Sequence, residues 1–313
     1  MANNLVNILN HKFKLKLESG IKEILSKVVS RLSDLNQEGV SYTSQCPHGL
    51  PSLNNIKETI HLLWQVIFPE LFSDEGFRIT KPEYRIGFCC EKLYELLENE
   101  IAICLTCGQE TESIFPQQDL EASKKAGEII AYLPELRRIL YTDIRAIMRK
   151  DPAAGNEIEI ILCYPAVKAM LHHRLAHLLF EMKIPYLPRI ISELSHSQTG
   201  IDIHPGAKIG DYFAIDHGTG VVIGETCVIG ENVTIYQGVT LGAKSFSYDD
   251  EGLPMNIARH PIIEDNVTIY SNASVLGRIT IGHDSIIGGN VWITKDVKPH
   301  SRVVQGGPRE SFD

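Results

Sequence analysis

The chain has 313 residues, 43% of them hydrophobic and 22% charged, with a formal net charge of −9. A chain of this length predicts one or two domains, and the negative balance, with no cluster of Lys and Arg, argues against nucleic acid as a main partner. No apolar run reaches the roughly 18 residues that a membrane span needs, so no membrane partner is expected.

The first residues are broken by His11, Lys12, Lys14 and Lys16 and show no clear cleavage site, so they do not read as a signal peptide. Seven cysteines at scattered positions fit a reducing, cytoplasmic setting better than a disulfide framework. Apolar residues at helical spacing predict helices near 4–34, 54–67, 83–105, 118–150 and 158–194. Pro134 interrupts the fourth, and Pro185 and Pro188 the fifth. Asp151-Pro152 ends the fourth, because proline disfavours helix in the residue before it. Within this block Cys104 and Cys107 read as buried thiols. His173 and His177, four apart on one helix face, lack a third ligand and read as structural rather than metal-binding.

Near residue 200 the pattern changes. Aliphatic side chains recur every six residues at Ile203, Ile209, Ile215 and Val221, then after a two-residue slip at Ile223, Ile229, Ile235 and Leu241. The same beat returns at Ile263, Ile269, Val275, Ile281, Ile287 and Ile293. Neither an α-helix nor a half-buried strand has a period of six, whereas a parallel β-helix has. Six residues at ~3.3 Å each make one flat side, and three sides close a coil. Residues 201–242 and 262–298 thus supply roughly four coils around an aliphatic column. The stretch 243–261 breaks the beat and reads as a protruding loop of the sort that is usually functional or disordered. The expected fold is α + β: an all-α domain over 1–199, capping the open end of the stack, and a β-helix over 200–313.

Fold alone does not settle function, because β-helices of this type host both transferases and scaffolds. The informative residues are those that interrupt the repeat. Asp216-His217 stands where the beat slips, Asp202 precedes His204-Pro205-Gly206, and Arg259-His260 closes the long loop. Each alone is most simply a solvated turn residue. Together they offer an imidazole beside a carboxylate, a second carboxylate one coil earlier, and an Arg-His pair.

The segments Asp202-Ile-His-Pro-Gly-Ala-Lys-Ile-Gly and Asp216-His-Gly-Thr-Gly-Val-Val-Ile-Gly-Glu-Thr, followed by Gln237-Gly-Val-Thr-Leu-Gly and Arg259-His260-Pro261, resemble serine O-acetyltransferase. So does the helical lead-in Asp143-Ile-Arg-Ala-Ile-Met-Arg-Lys-Asp151-Pro-Ala, which other hexapeptide acetyltransferases lack. The resemblance covers about residues 140–307. It implies left-handed coiling and transfer of an acetyl group from acetyl-CoA, a co-substrate rather than a bound cofactor, to the hydroxyl of L-serine. A hydroxyl is a weak nucleophile and needs a base, which an imidazole of ordinary pKa near 6.5 supplies at neutral pH. By resemblance that base is His217, with Asp202 holding its second nitrogen, the logic of a catalytic triad whose hydroxyl comes from the substrate. Asp151 and Asp216 take the serine ammonium, and Arg259 and His260 its carboxylate, which suits a guanidinium fork. Backbone around Gly242, Ala243, Ser271 and Gly289 meets CoA in a groove between neighbouring β-helices, with N–H groups near Gly242-Ala243 facing the oxyanion.

A groove of that kind implies a homotrimer. Relatives join two trimers into a hexamer through an N-terminal region from which this chain departs. L-cysteine is expected as a feedback inhibitor, and no metal is expected. The chain ends Gly306-Gly-Pro-Arg-Glu-Ser-Phe-Asp313 without the terminal isoleucine that relatives dock into cysteine synthase, which speaks against that partnership. The loop at 243–261 is longer than the family's, and Ala243 stands where a second glycine is common. Three other readings compete: an acetyltransferase with a different acceptor such as homoserine or a sugar, a zinc carbonic anhydrase of the γ type, and a non-catalytic scaffold. The anhydrase needs three histidine ligands, two on a short repeat spacing; His204, His217, His260, His283 and His300 offer no such pair. A scaffold has no use for Asp216-His217 and Arg259-His260.

Overall fold

The computed structural model describes residues 20–33, 46, 49–72, 81–107 and 115–305. Most of the first predicted helix, up to residue 19, and the C-terminal residues 306–313 lie outside the described residues. The chain divides into two compact units, residues 1–49 with 107–110, and residues 50–106 with 111–313. In the first, residues 20–33 form helix α1 and a disulfide joins Cys46 to Cys107. Cys107 is therefore not the buried thiol that its spacing from Cys104 predicts; Cys104 is. A partner 61 residues away in sequence leaves no local trace.

The second unit opens with α2 (Leu53–Ile67), α3 (Pro82–Thr106) and α4 (Phe115–Lys150). Ser52 caps α2 by accepting the Asn55 N–H, and the buried Glu100 carboxylate accepts from Ser52 N at 2.8 Å and Asn55 Nδ2 at 2.7 Å. Pro134 does not interrupt α4, contrary to expectation. A missing N–H and a ring clash cost about 3 kcal/mol in a helix interior. Here the stripe Ile129, Leu133, Leu136 and Leu140 is buried on both sides of the proline and holds the helix through it. The fifth predicted helix is three: α5 (Glu157–Cys163), α6 (Pro165–Glu181) and α7 (Leu187–Thr199). Pro165 starts α6 at the position where proline is favoured. Gly200, left-handed at φ 68°, ends α7. Among the described residues no helix is long and apolar enough to cross a membrane.

From Asp202 the chain winds into a left-handed parallel β-helix. Its strands are β1 (Asp202–Ile203), β2 (Lys208–Ile209), β3 (Ala214–Asp216), β4 (Val222–Ile223), β5 (Val228–Ile229), β6 (Thr234–Tyr236), β7 (Thr240–Gly242), β8 (Ile262–Ile263) and β9 (Thr268–Ile269). They continue as β10 (Ser274–Leu276), β11 (Thr280–Ile281), β12 (Ile286–Ile287), β13 (Trp292–Ile293) and β14 (Arg302–Val303). Three sheets result, β1-β4-β7-β10-β13, β2-β5-β8-β11 and β3-β6-β9-β12-β14. The coils number about five rather than four, because β13 and β14 close a further turn whose later side drops the aliphatic beat at Lys298-Pro299. Ile203, Ile223, Leu241, Val275 and Ile293 stack inside the first sheet, all buried. Each such side chain contributes roughly 1.5–3 kcal/mol by leaving water.

Register locates the irregularities. Val222 aligns with Thr240, eighteen residues on, but Asp202 aligns with Val222, twenty residues on. The two extra residues sit at the corner after β3, beside His217. Asp202 and Asp216 lie on the same first coil, on β1 and β3, and not one coil apart as the spacing suggested. Between β7 and β8 the long loop leaves the coil as a narrow arm: Tyr248 bridges Pro254 in antiparallel fashion, and the Met255 N–H donates to Ser247 O at 2.8 Å. Phe246, Tyr248, Leu253, Met255 and Ile257 of this arm are exposed.

A buried ion pair fastens the helices to the first coil. Arg174 of α6 meets Asp143 of α4 at 3.1 Å, with side chains only 9% and 2% exposed. The guanidinium also donates to Ile209 O and Gly210 O, and the carboxylate accepts the Phe213 N–H at 3.0 Å. Burial pushes the Asp143 carboxyl up to about 6, with Arg174 and the Phe213 N–H opposing the rise.

Candidate active site

The corner after β3 departs most from regular geometry. His217 (φ 56°), Gly218 (φ 87°) and Gly220 (φ 79°) all occupy the left-handed region. For an L residue that conformation costs roughly 1–2 kcal/mol and marks a place where the surroundings over-determine the backbone. A Cβ on Gly218 would come within 2.5 Å of Ile201 Cδ1, so glycine is required there on both counts. The extra residues bulge outward and leave the His217 ring 76% exposed, with Nε2 4.0 Å from Asp216 Oδ1.

His217 and Asp216 line a cavity of about 480 Å³ together with Asp151, Tyr164 and Cys163. Asp151 follows the C-terminus of α4; its carboxylate accepts the Tyr164 hydroxyl at 2.6 Å and the Ala153 N–H at 2.8 Å. Those two hydrogen bonds hold the Asp151 carboxyl below the usual range, and the same bond pushes the Tyr164 phenol up to about 12. Two carboxylates beside an imidazole suit a ligand that carries an ammonium next to a hydroxyl.

Asp202 faces outward on β1. Among the described residues no hydrogen bond joins it to His217; its carboxylate lies within 4.8 Å of donor atoms of Glu193 and His196 of α7. Ile201, the residue before β1, packs against the His217 corner at Gly218.

Arg259 and His260 occupy a different corner, the one between the first and second sheets, where the arm returns. His260 is buried, and its Nδ1 accepts the Thr226 N–H at 3.1 Å and the Thr226 hydroxyl at 2.9 Å. That hydroxyl oxygen in turn accepts the N–H groups of Arg259 and His260. The acceptor role of Nδ1 assigns the ring proton to Nε2. A Cβ on Gly224 would fall 2.1 Å from His260 Cδ2, so the ring needs glycine beneath it. Arg259 pairs with Glu225 at 2.8 Å. Sequence reasoning missed Glu225, Thr226 and Tyr164; the first two stand inside a recognised motif, but only packing reveals that they hold Arg259 and His260.

Burial, reinforced by Arg259, pushes the His260 pKa down to about 4. The unfolded chain takes up this proton near pH 6.5 and the folded chain only near 4, so stability falls as pH drops through that interval. Denaturant midpoints measured from pH 7 to 4 are expected to show this loss. In His260→Gln, which keeps an acceptor for Thr226, the slope should be shallower; an identical slope would remove His260 as its cause.

The four backbone positions assigned to CoA fall at the two edges of the first sheet. Gly242 O accepts the Gly277 N–H at 2.9 Å, on the edge from which Ala243 starts the arm. Ser271 O accepts the Asn290 N–H at 2.9 Å beside Gly289, on the edge above His217. The structure thus brings Asp151, Asp216 and His217 together, and keeps Arg259 and His260 at another corner of the same chain. His173 and His177 stack with ring centroids 5.8 Å apart; His173 is buried and His177 Nδ1 bonds Pro205 O, as a structural helix face requires.

Residues 260–295 match the family described as bacterial transferase hexapeptide (six repeats), and residues 220–246 match the hexapeptide repeat of succinyl-transferase. A plasmid-encoded serine acetyltransferase of Synechococcus elongatus is 45% identical over 288 residues, 90% of each chain. The crystal structure of Entamoeba histolytica serine acetyltransferase 1 in complex with L-cysteine superposes with a TM-score of 0.69 at 36% identity, covering 79% of this chain and 86% of that one. Neisseria gonorrhoeae serine acetyltransferase in complex with serine gives 0.52 at 28% identity, covering 80% and 97%. With these matches across helices and coils alike, the chain belongs to the serine acetyltransferase family.

Proposed function

We propose that this protein transfers the acetyl group of acetyl-CoA to the hydroxyl of L-serine, giving O-acetylserine for cysteine biosynthesis, at a site completed by two copies of the chain. The observation that carries the reading is the cavity in which His217 stands beside Asp216 and Asp151. The two carboxylates hold the serine ammonium. His217 takes the hydroxyl proton as the serine oxygen attacks the thioester carbonyl. The C–S bond then breaks, and the imidazolium returns its proton to the leaving thiolate. Asp202 is the proposed orienter of the ring, a role that requires its side chain to turn from His196 toward the neighbouring corner. N–H groups near Gly242-Ala243 face the oxyanion, and the edges marked by Ala243, Ser271 and Gly289 flank the CoA arm.

Serine also has a carboxylate, and the groups suited to it, Arg259 and His260, lie on another corner. A trimer that sets the Arg259 corner of one copy against the His217 corner of the next joins the halves. Arg259, held by Glu225 through Nη2, then exchanges the longer Nη1 bonds to Asn256 Oδ1 and Ile257 O for the substrate carboxylate.

Cysteine differs from serine only in carrying a thiol for the hydroxyl, and the Entamoeba enzyme binds it. A thiol-release assay with acetyl-CoA is expected to favour serine over homoserine and sugars. L-cysteine should raise the apparent KM for serine while leaving kcat unchanged. Preference for another acceptor, or inhibition indifferent to serine concentration, would overturn this assignment of the pocket.

A further inference from the structure

At the corner between the second and third sheets a ladder of left-handed residues climbs the β-helix: Tyr212, Asn232, Asn266, Asp284 and His300, with φ between 55° and 59°. Asparagine tolerates this conformation best among ordinary L residues. Its amides also link coils here, Asn232 Nδ2 donating to Asn266 Oδ1 at 2.8 Å. The top two steps abandon the pattern. They carry a carboxylate and an imidazole, and His283 adds a second ring next to them.

These three side chains converge. His283 Nδ1 lies 2.7 Å from Asp284 Oδ2, and His300 Nδ1 lies 3.7 Å from the same oxygen. The rings meet edge to face with centroids 4.8 Å apart. One donor atom from each residue lies within 4.8 Å of the other two. The spacing is fixed by backbone, since His300 N donates to His283 O at 2.8 Å across the coils and His283 N donates to Glu264 Oε2 at 2.8 Å. Bonds of about 2.0–2.1 Å in a tetrahedron set ligand atoms roughly 3.3 Å apart, between the two separations seen here.

We propose that His283, Asp284 and His300 form a binding site for one divalent transition-metal ion of the zinc class, which pins the last coil to the coil beneath it. Two imidazoles and one carboxylate suit zinc, nickel or copper; calcium and magnesium seek oxygen donors. The last coil is where a pin has most effect, because among the described residues β13 and β14 pair on one side only. None of the three residues belongs to the acetyl-transfer site, so the proposal stands or falls apart from the functional reading.

The test is zinc titration of the full-length chain, free of any histidine tag, against a chromophoric chelator at pH 7.5. One ion per chain is expected, and His283→Ala and His300→Ala should each weaken binding by at least about tenfold. Zinc should raise the thermal midpoint of the parent chain and leave that of the double variant unmoved. A second cluster, Glu193, His196 and Asp202, also has its donor atoms within 4.8 Å, and His196→Ala tells the two apart. Loss of binding in His196→Ala with retention in the His283 and His300 variants would overturn the proposal, as would the absence of binding at tens of micromolar zinc.

Discussion

Replacing His217 by alanine is expected to lower kcat by at least about 10²-fold, the usual scale for a positioned general base, with little change in KM for acetyl-CoA. The residue sits at φ 56° on a two-residue bulge, so alanine also strains the corner slightly. His217→Asn separates the two effects. Asparagine accepts the left-handed backbone but takes no proton at neutral pH, so it should fold at least as well as the parent and stay as inactive as the alanine variant. Rates within tenfold of the parent in His217→Asn would remove this imidazole from the chemistry, whatever the thermal midpoint shows.

Arg174→Met is expected to destabilise the chain by about 3–5 kcal/mol, the range for breaking a buried ion pair from one side. The Asp143 carboxylate would keep only the Phe213 N–H, and the carbonyls of Ile209 and Gly210 would lose their donor. The pH dependence gives a second signature. A carboxyl that is already raised toward 6 in the presence of Arg174 rises further without it, so the variant should regain stability as pH falls from 7 to 5. Adding Asp143→Leu should cost less than the two single changes together, because the uncompensated charge is gone. Urea midpoints across this cycle decide the matter; a loss under about 1 kcal/mol in Arg174→Met would mean that the junction is held by packing alone.

The β-helix was legible because its physics is periodic. Each side of a coil takes six residues and must turn one aliphatic side chain inward, so Ile203 to Ile293 announce the stack. The slip after Val221 flagged the bulge that presents His217. Other features follow from contacts between distant segments and leave no local mark. Pro134 looks like a break until the buried leucines on either side are seen to hold the helix. Cys46 and Cys107 show no pairing signal across 61 residues. Thr226 reads as an ordinary repeat residue, and only the structure reveals its hydroxyl at the centre of the Arg259–His260 corner. The last side of the final coil was missed because Lys298-Pro299 suspends the beat after Ile293 and before β14 resumes pairing.

The twenty-residue first turn and the arm between β7 and β8 show one property of this architecture at work. Neighbouring turns are welded strand to strand, so added residues are pushed out at a vertex and the ladder above resumes in phase. A vertex can thus take added length without shifting the ladder, and foreign peptide spliced at the arm tip near Gly252, where an added Cβ would meet nothing within 4 Å, would leave the stack undisturbed.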